Sequence, residues 1–141
     1  MLLDSLNKRI NFLKDVGNEL GADKLYCEHG RAEDFARKEG KREGFDLCVS
    51  RAVANLSTLA EYCLPFVKVG GSFVSMKSAE SNEEISEAKK AINVPGGKIE
   101  EDILFDLVEN MPRRIIRIKK NSQTPTKYPR PSAQISKKPL K

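Results

Sequence analysis

The 141-residue sequence has no tryptophan, a single histidine and only 6% aromatic residues, so any core is aliphatic and modest in size. At that length a second complete domain is not expected. Cysteine is also scarce: Cys27, Cys48 and Cys63 are an odd count without a C-x-x-C pair, each in or beside an apolar run. This excludes a disulfide framework and points to buried thiols of a reducing cytosol, hence to a cytoplasmic protein. No apolar run approaches the ~20 residues that span a bilayer. Met1-Leu2-Leu3 is followed at once by Asp4 instead of an apolar signal core. There is no Ser/His/Asp or Cys/His set, no metal-ligand cluster and no phosphate-cradling glycine loop, so neither a catalytic acid or base nor a metal is assigned. His29, the single histidine, reads as a turn residue.

Acid is absent from one end. Residues 113–141 hold ten of the 25 Lys and Arg and none of the 20 Asp and Glu, which leaves residues 1–112 net acidic. The sequence pI near 9.1 is therefore a property of the tail. A concentrated cationic end is an electrostatic footprint for phosphates, or else a solvated tail kept soluble by lysine.

The rest of the chain alternates helix and strand patterns. Leu6, Ile10, Leu13, Val16 and Leu20 recur at helical spacing, with Ser5 placed to cap the start and Gly21 to end the run. Residues 24–28 have strand length, Gly30 breaks them, and 31–38 is helix-like. Residues 45–50 form a compact apolar run of buried-strand type. Helical periodicity returns over 56–67, strand character over 72–77, and Ser81 with Glu84 predicts a capping box opening a helix over 81–92. Two extended runs, 103–108 and 114–119, are joined through Asn110 and Pro112 closely enough to be antiparallel. Four of the seven prolines lie beyond Lys120, so residues 121–141 read as an extended basic arm and 1–120 as the folded part.

Such alternation specifies an α/β fold with a mostly parallel sheet covered by helices on both faces. The residues before Ser5 look like the end of a strand whose earlier part is absent, so the chain is expected to open inside a domain, with the N-terminal part of its sheet missing.

In doubly wound sheets, ligands bind beyond the carboxyl ends of the strands. Asp4 stands at one such end, where a carboxylate accepts hydrogen bonds from ribose hydroxyls or simply adds charge at a helix N-terminus. Ala32, Glu33 and Asp34 stand at the next strand-to-helix turn, either reading an adenine edge or enriching a helix start in acid. Arg51 follows the most buried-looking strand, where a guanidinium needs an ionic partner or a ligand.

Several blocks, taken together and in order, resemble the bacterial small-subunit ribosomal RNA methyltransferases that modify guanine N7, the glucose-inhibited division protein B family. They are Leu2-Leu3-Asp4-Ser5-Leu6-Asn7-Lys8-Arg9, His29-Gly30-Arg31-Ala32-Glu33-Asp34-Phe35, Ser50-Arg51-Ala52-Val53-Ala54-Asn55-Leu56 and Leu64-Pro65-Phe66-Val67-Lys68-Val69-Gly70-Gly71. Lys127-Tyr128-Pro129-Arg130 and Ser136-Lys137-Lys138-Pro139-Leu140 complete the set. The resemblance implies a Rossmann-like class I fold using S-adenosylmethionine, mostly parallel with an antiparallel C-terminal strand. It implies that Asp4 contacts the cofactor ribose, that Ala32 and Glu33 hold adenine, and that Arg51 lies in the cofactor and substrate cleft. The implied partner is 16S ribosomal RNA or a small-subunit precursor, with the complete protein monomeric and no membrane involved.

Two features depart from that family. Its glycine-rich cofactor loop, which follows its first strand, lies upstream of these residues, and residues 131–135 replace its usual Lys-Ala-Gly-Thr-Pro-like turn. Its first strand lies centrally in the sheet, so loss of that strand is expected to open a seam with unpaired edges. RNA affinity is expected from Arg113, Arg114, Lys127, Arg130, Lys137 and Lys138 on phosphates, with Tyr128 stacking on a base or anchoring the arm. Two rival readings stand beside the enzyme: a noncatalytic RNA-binding remnant and a nicotinamide-dependent dehydrogenase fragment.

Overall fold

A computed structural model describes residues 1–51 and 54–140. Ala52 and Val53 of the block after Arg51 lie outside them. The elements alternate as β1 (Leu2–Asp4), α1 (Asn7–Glu19), β2 (Cys27–His29), α2 (Ala32–Phe35), β3 (Phe45–Arg51), α3 (Leu56–Cys63), β4 (Val67–Ser78), α4 (Asn82–Asn93), β5 (Gly97–Asp106), β6 (Pro112–Lys120) and α5 (Ser132–Lys137).

The strands form two separate sheets. β1 and β2 pair in parallel, and β3-β4-β6-β5 make a four-stranded sheet. β3 runs parallel to β4, while β6 is antiparallel to both β4 and β5. In the larger sheet β3, β4 and β5 therefore share one direction and β6 alone opposes it, as the closing pair of extended runs predicts.

The main core lies where α3 and α4 meet the four-stranded sheet. Leu56, Leu59, Ala60 and Leu64 pack with Ile85, Ala88, Ala91 and Ile92 over Val67, Phe73, Ile116 and Ile118. Among the described residues the helices of this core, α3 and α4, lie on one face of the sheet, where cover on both was expected. On the alternate side chains of β3 and β4, Leu47, Val49 and Met76 are 56%, 49% and 38% exposed.

Three local predictions are corrected by the structure. Ser5 does not cap α1: Leu6 holds the cap position, and Asp4 Oδ1 accepts the Leu6 N–H at 2.8 Å. The helix over 56–67 stops at Cys63, because Pro65 cannot continue the hydrogen-bond ladder, and a 3-10 turn over Leu64–Phe66 leads straight into β4. The capping box is not formed. Ser81 Oγ donates to the Ser78 carbonyl, while Glu84 accepts from the Leu56 N–H and from Lys77 Nζ, so it serves the start of α3 instead of its own helix.

β4 also begins earlier than predicted, by accommodating the Gly70-Gly71 pair as a bulge. Its register against β3 jumps between Phe45↔Val67 and Leu47↔Ser72. Gly70 takes a φ of +89°, and a Cβ on Gly71 would meet the Asp46 carbonyl at 2.6 Å.

The basic arm is neither extended nor free. Arg42 donates to the carbonyls of Thr124 (2.7 Å) and Tyr128 (3.0 Å), and Arg37 to that of Pro129 (2.5 Å). Lys120 is fully buried, donating from Nζ to Leu64 O at 2.8 Å and Thr124 Oγ1 at 2.6 Å, with Glu43 at 3.1 Å. Burial holds its pKa below the usual lysine value, against the pull of Glu43. Ile135, on α5, is fully buried. Carbonyls that a free arm would offer to water are thus satisfied by arginines from the body of the protein.

Candidate functional site

Two of the strands end at one cleft. It has a volume of about 350 Å³ and runs between β1 and β3, with Leu2, Leu3 and Asp4 on one side and residues 47–51 on the other. Ala32 at the start of α2, and Leu59, Tyr62 and Cys63 on α3, complete the wall. The cleft therefore lies along the division between the two sheets.

Asp4 is held in place by the backbone it precedes. The Leu6 N–H chiefly, and then the Arg9 guanidinium at 3.2 Å, keep its carboxyl below the usual carboxylate range. Each carboxylate oxygen has capacity for a second donor, so an ionised Asp4 still accepts hydrogen bonds from a ligand. It stands before the start of α1 with acceptor capacity to spare. Arg51 ends β3 as an exposed residue on the same cleft.

Glu33 stands apart from these three. It is only 7% exposed, lies 3.6 Å from Arg31, and is absent from the cleft wall. Beside it, burial and then the Glu33 charge push the Tyr62 hydroxyl up, while a hydrogen bond with Ser136 opposes them. Arg31 Nη1 donates to Ser132 Oγ at 2.9 Å, so the Glu33 turn is tied to the C-terminal arm.

Ser50 supplies a further polar group. Its Oγ and that of Ser75, directly opposite on β4, are buried without a hydrogen-bond partner among the described residues. Ser50 lines the cleft. A buried hydroxyl left unpaired costs free energy that a ligand group would recover. An ionised acceptor, an orphan hydroxyl, an apolar wall and this volume fit a nucleoside-bearing cofactor such as S-adenosylmethionine.

The expected RNA residues divide sharply. Arg130 is committed to Glu61, whose side chain is fully buried: the Arg130 N–H and Nε donate to Oε1 at 2.9 and 2.8 Å, and Nη2 to Oε2 at 2.7 Å. Arg114 makes a bidentate pair with Asp102 and donates to Asn82 Oδ1 at 2.6 Å. Tyr128 is buried, at 9% exposed, with Lys127 Nζ 5.3 Å from the centre of its ring. Arg113, Lys127, Lys137 and Lys138 are exposed. Sequence reading missed Arg37, Arg42 and Glu61, the clamp on the arm, because their partners lie 69 or more residues away. It also missed Ser50 and Tyr62, which carry no local signal.

Parallel strands joined through helices, one late antiparallel strand, and a carboxylate-bearing cleft at the strand ends define a Rossmann-like α/β protein of the methyltransferase fold. An rRNA methylase from Streptococcus thermophilus shares this fold, with a TM-score of 0.54 at 14% identity over 85% of this chain and 72% of that one. So does MtNAS, with a TM-score of 0.59 at 12% identity over 85% of this chain and 43% of that one.

The family model for rRNA small subunit methyltransferase G, GidB, matches residues 1–116, and the chain belongs to this family. It is 51% identical to the ribosomal RNA small subunit methyltransferase G of Clostridium tetani, covering all of this chain and 59% of that protein. The Streptococcus gordonii protein of the same name is 45% identical over 99% of this chain and 59% of its own length. The chain thus spans about 59% of the length of these relatives.

Proposed function

We propose that the chain carries the ribose-binding carboxylate and the RNA-facing arm of an enzyme that transfers a methyl group from S-adenosylmethionine to guanine N7 of 16S ribosomal RNA, in the cytoplasm. The observation that carries this reading is the meeting of Asp4, Ala32 and Arg51 on one cleft, in a chain of the methyltransferase G family. Asp4 accepts the ribose hydroxyls, Ala32 at the start of α2 holds adenine while Glu33, expected to share that role, lies off the cleft, and Arg51 stands on the substrate side. The cofactor supplies an electrophilic methyl group. Guanine N7 offers an in-plane lone pair and no proton to remove, so alignment replaces acid–base chemistry.

Asp4→Asn removes a charged acceptor from the ribose and should weaken S-adenosylmethionine binding about 10- to 100-fold in calorimetry. An affinity unchanged by that substitution would remove Asp4 from the site. The arm reaches RNA through Lys127, Lys137 and Lys138, with Arg113 at the start of β6. Replacing Lys137 and Lys138 by alanine should flatten the dependence of RNA affinity on salt by about 1 to 2 in log–log slope. An unchanged slope would count against the arm as the phosphate contact.

One observation favours a noncatalytic RNA-binding role as the second reading: the arm is anchored on α3 and on the segment between α2 and β3, whereas the cleft lies between two unjoined sheets. RNA gel shifts with no cofactor binding would select it.

A further inference from the structure

The arm lies against a basic run of the body. Residues 31–42 carry Arg31, Arg37, Lys38, Lys41 and Arg42, a concentration that the net acidity of residues 1–112 conceals. Contacts between this run and the arm progress in opposite directions along the two. Arg31 donates to Ser132 Oγ at 2.9 Å, Arg37 to the Thr126 and Pro129 carbonyls at 3.3 and 2.5 Å, and Arg42 to the Thr124 and Tyr128 carbonyls at 2.7 and 3.0 Å. Two basic segments are thereby laid side by side.

Within this pair of segments the arginines are spent and the lysines are not. Arg37 and Arg42 satisfy arm carbonyls, and Arg130 is held by Glu61. Two of the nearby acids are spent as well: Glu33 is buried, and Glu43 accepts from the Thr124 N–H at 2.7 Å and lies 3.1 Å from Lys120 Nζ. Asp34 and Glu39 are exposed. Among the described residues Lys38, Lys41 and Lys127 form no salt bridge. Lys38 Nζ stands 3.6 Å over the Phe35 ring and Lys127 Nζ 5.3 Å over that of Tyr128, and both rings are buried. The face of a buried ring holds an ammonium at the surface while its outer side stays open to an anion. Cations strung along two neighbouring segments, instead of converging on one point, match a chain of phosphates better than a single one.

We propose that the RNA surface of this protein is two-sided, with Lys38 and Lys41, in the connection between α2 and β3, contacting the RNA backbone together with Lys127 of the arm. The proposal rests on the reading of the chain as one that acts on ribosomal RNA. Arg37 and Arg42 hold the arm in place against the body, so that Lys127 is presented next to the Lys38 turn. The charge of the tail and the charge of the body then serve one polyanion.

Filter binding of the full chain to 16S ribosomal RNA across a salt series tests this. Lys38→Ala with Lys41→Ala should lower the log–log slope by about 1 to 2. Lys89→Ala with Lys90→Ala, an equal loss of charge at exposed positions of α4, should leave it unchanged. Glu39→Lys, between the two lysines, should steepen the slope by about 1, a gain that misfolding cannot imitate. A steep native slope that neither the Lys38 and Lys41 pair nor Glu39→Lys moves overturns the two-sided surface while the RNA reading stands. Equal losses from the two lysine pairs would show net charge alone at work and also overturn it. So would an unchanged RNA slope accompanied by lost binding to phosphatidylserine vesicles, which would assign the lysines to a membrane. A native chain that binds no RNA overturns the RNA reading, and the two-sided surface with it.

Discussion

The two sheets of this protein differ in what they bury. The β3–β6 sheet rests on a continuous cluster in which Phe73, Ile116 and Ile118 are fully buried beneath α3 and α4. In the β1-α1-β2 unit only Ile10 and Gly17 of α1 are buried, while Leu6, Phe12, Leu20 and Tyr26 are 52–77% exposed. A three-residue strand pair with one helix removes too little apolar surface from water to offset the entropy of ordering it, whereas the larger sheet does so comfortably. Stability in this chain therefore resides in one half, and the carboxylate that faces the cleft is carried by the other. Local opening should be cheapest where Asp4 sits.

Core truncation tests this contrast most severely. Phe73→Ala should cost about 3 to 5 kcal/mol in urea unfolding, since the ring is enclosed on every side. Phe12→Ala, on an α1 ring that is 65% exposed, should shift stability by less than about 0.5 kcal/mol. Comparable losses at the two positions would show that the sheets unfold as one tightly coupled core, and the contrast would fail.

The arm supplies the next test, because it is fastened to the stable half. Glu61→Ala leaves the Arg130 guanidinium and N–H without their partner in a partly buried setting, at a cost of about 3 kcal/mol. The same change should expose residues 121–140 to limited proteolysis while β4 and β6 stay protected. If the arm remained resistant, the Arg37 and Arg42 contacts would be holding it unaided.

How much of this was legible follows from where each signal resides. The 3.6-residue period from Leu6 to Leu20 marked α1, and the apolar run at Phe45 marked β3, because both are local patterns that need no partner to be seen. That Asp4, Ala32 and Arg51 lie on one cleft follows from their places at strand ends and helix starts, which the alternation of patterns already marked. Glu84 misled, since its capping spacing is genuine but the Leu56 N–H and Lys77 compete for it from another element. The arm misled for a related reason: proline and lysine dominate its composition, yet its order comes from Arg37, Arg42 and Glu61, far away in sequence. The uncovered face of the larger sheet was equally hidden, because a strand's own residues do not say which helices arrive.

Acid sharpens the comparison most gently. Asp102 and Arg114 form a bidentate pair across β5 and β6 that also reaches Asn82 at the start of α4. The Arg114 guanidinium chiefly holds the Asp102 carboxyl below its ordinary value of about 3.9. With the folded pKa depressed, the pair's contribution is fully present above the unfolded value and is lost as pH falls through the folded one. Because Asp102 is 32% exposed and solvent screens the pair, the contribution should be about 1 kcal/mol or less. Asp102→Asn should therefore be destabilised relative to the parent at pH 7, and the two should converge as pH falls through the depressed pKa of the folded carboxyl. Asp4, whose carboxyl the Leu6 N–H and Arg9 also hold below its ordinary value, lies in the weaker half, so an Asp4→Asn control should reduce local protection around β1 while leaving global unfolding unchanged. If Asp4→Asn instead altered the global acid transition as much as Asp102→Asn, the small sheet would have to be an integral part of the cooperative core.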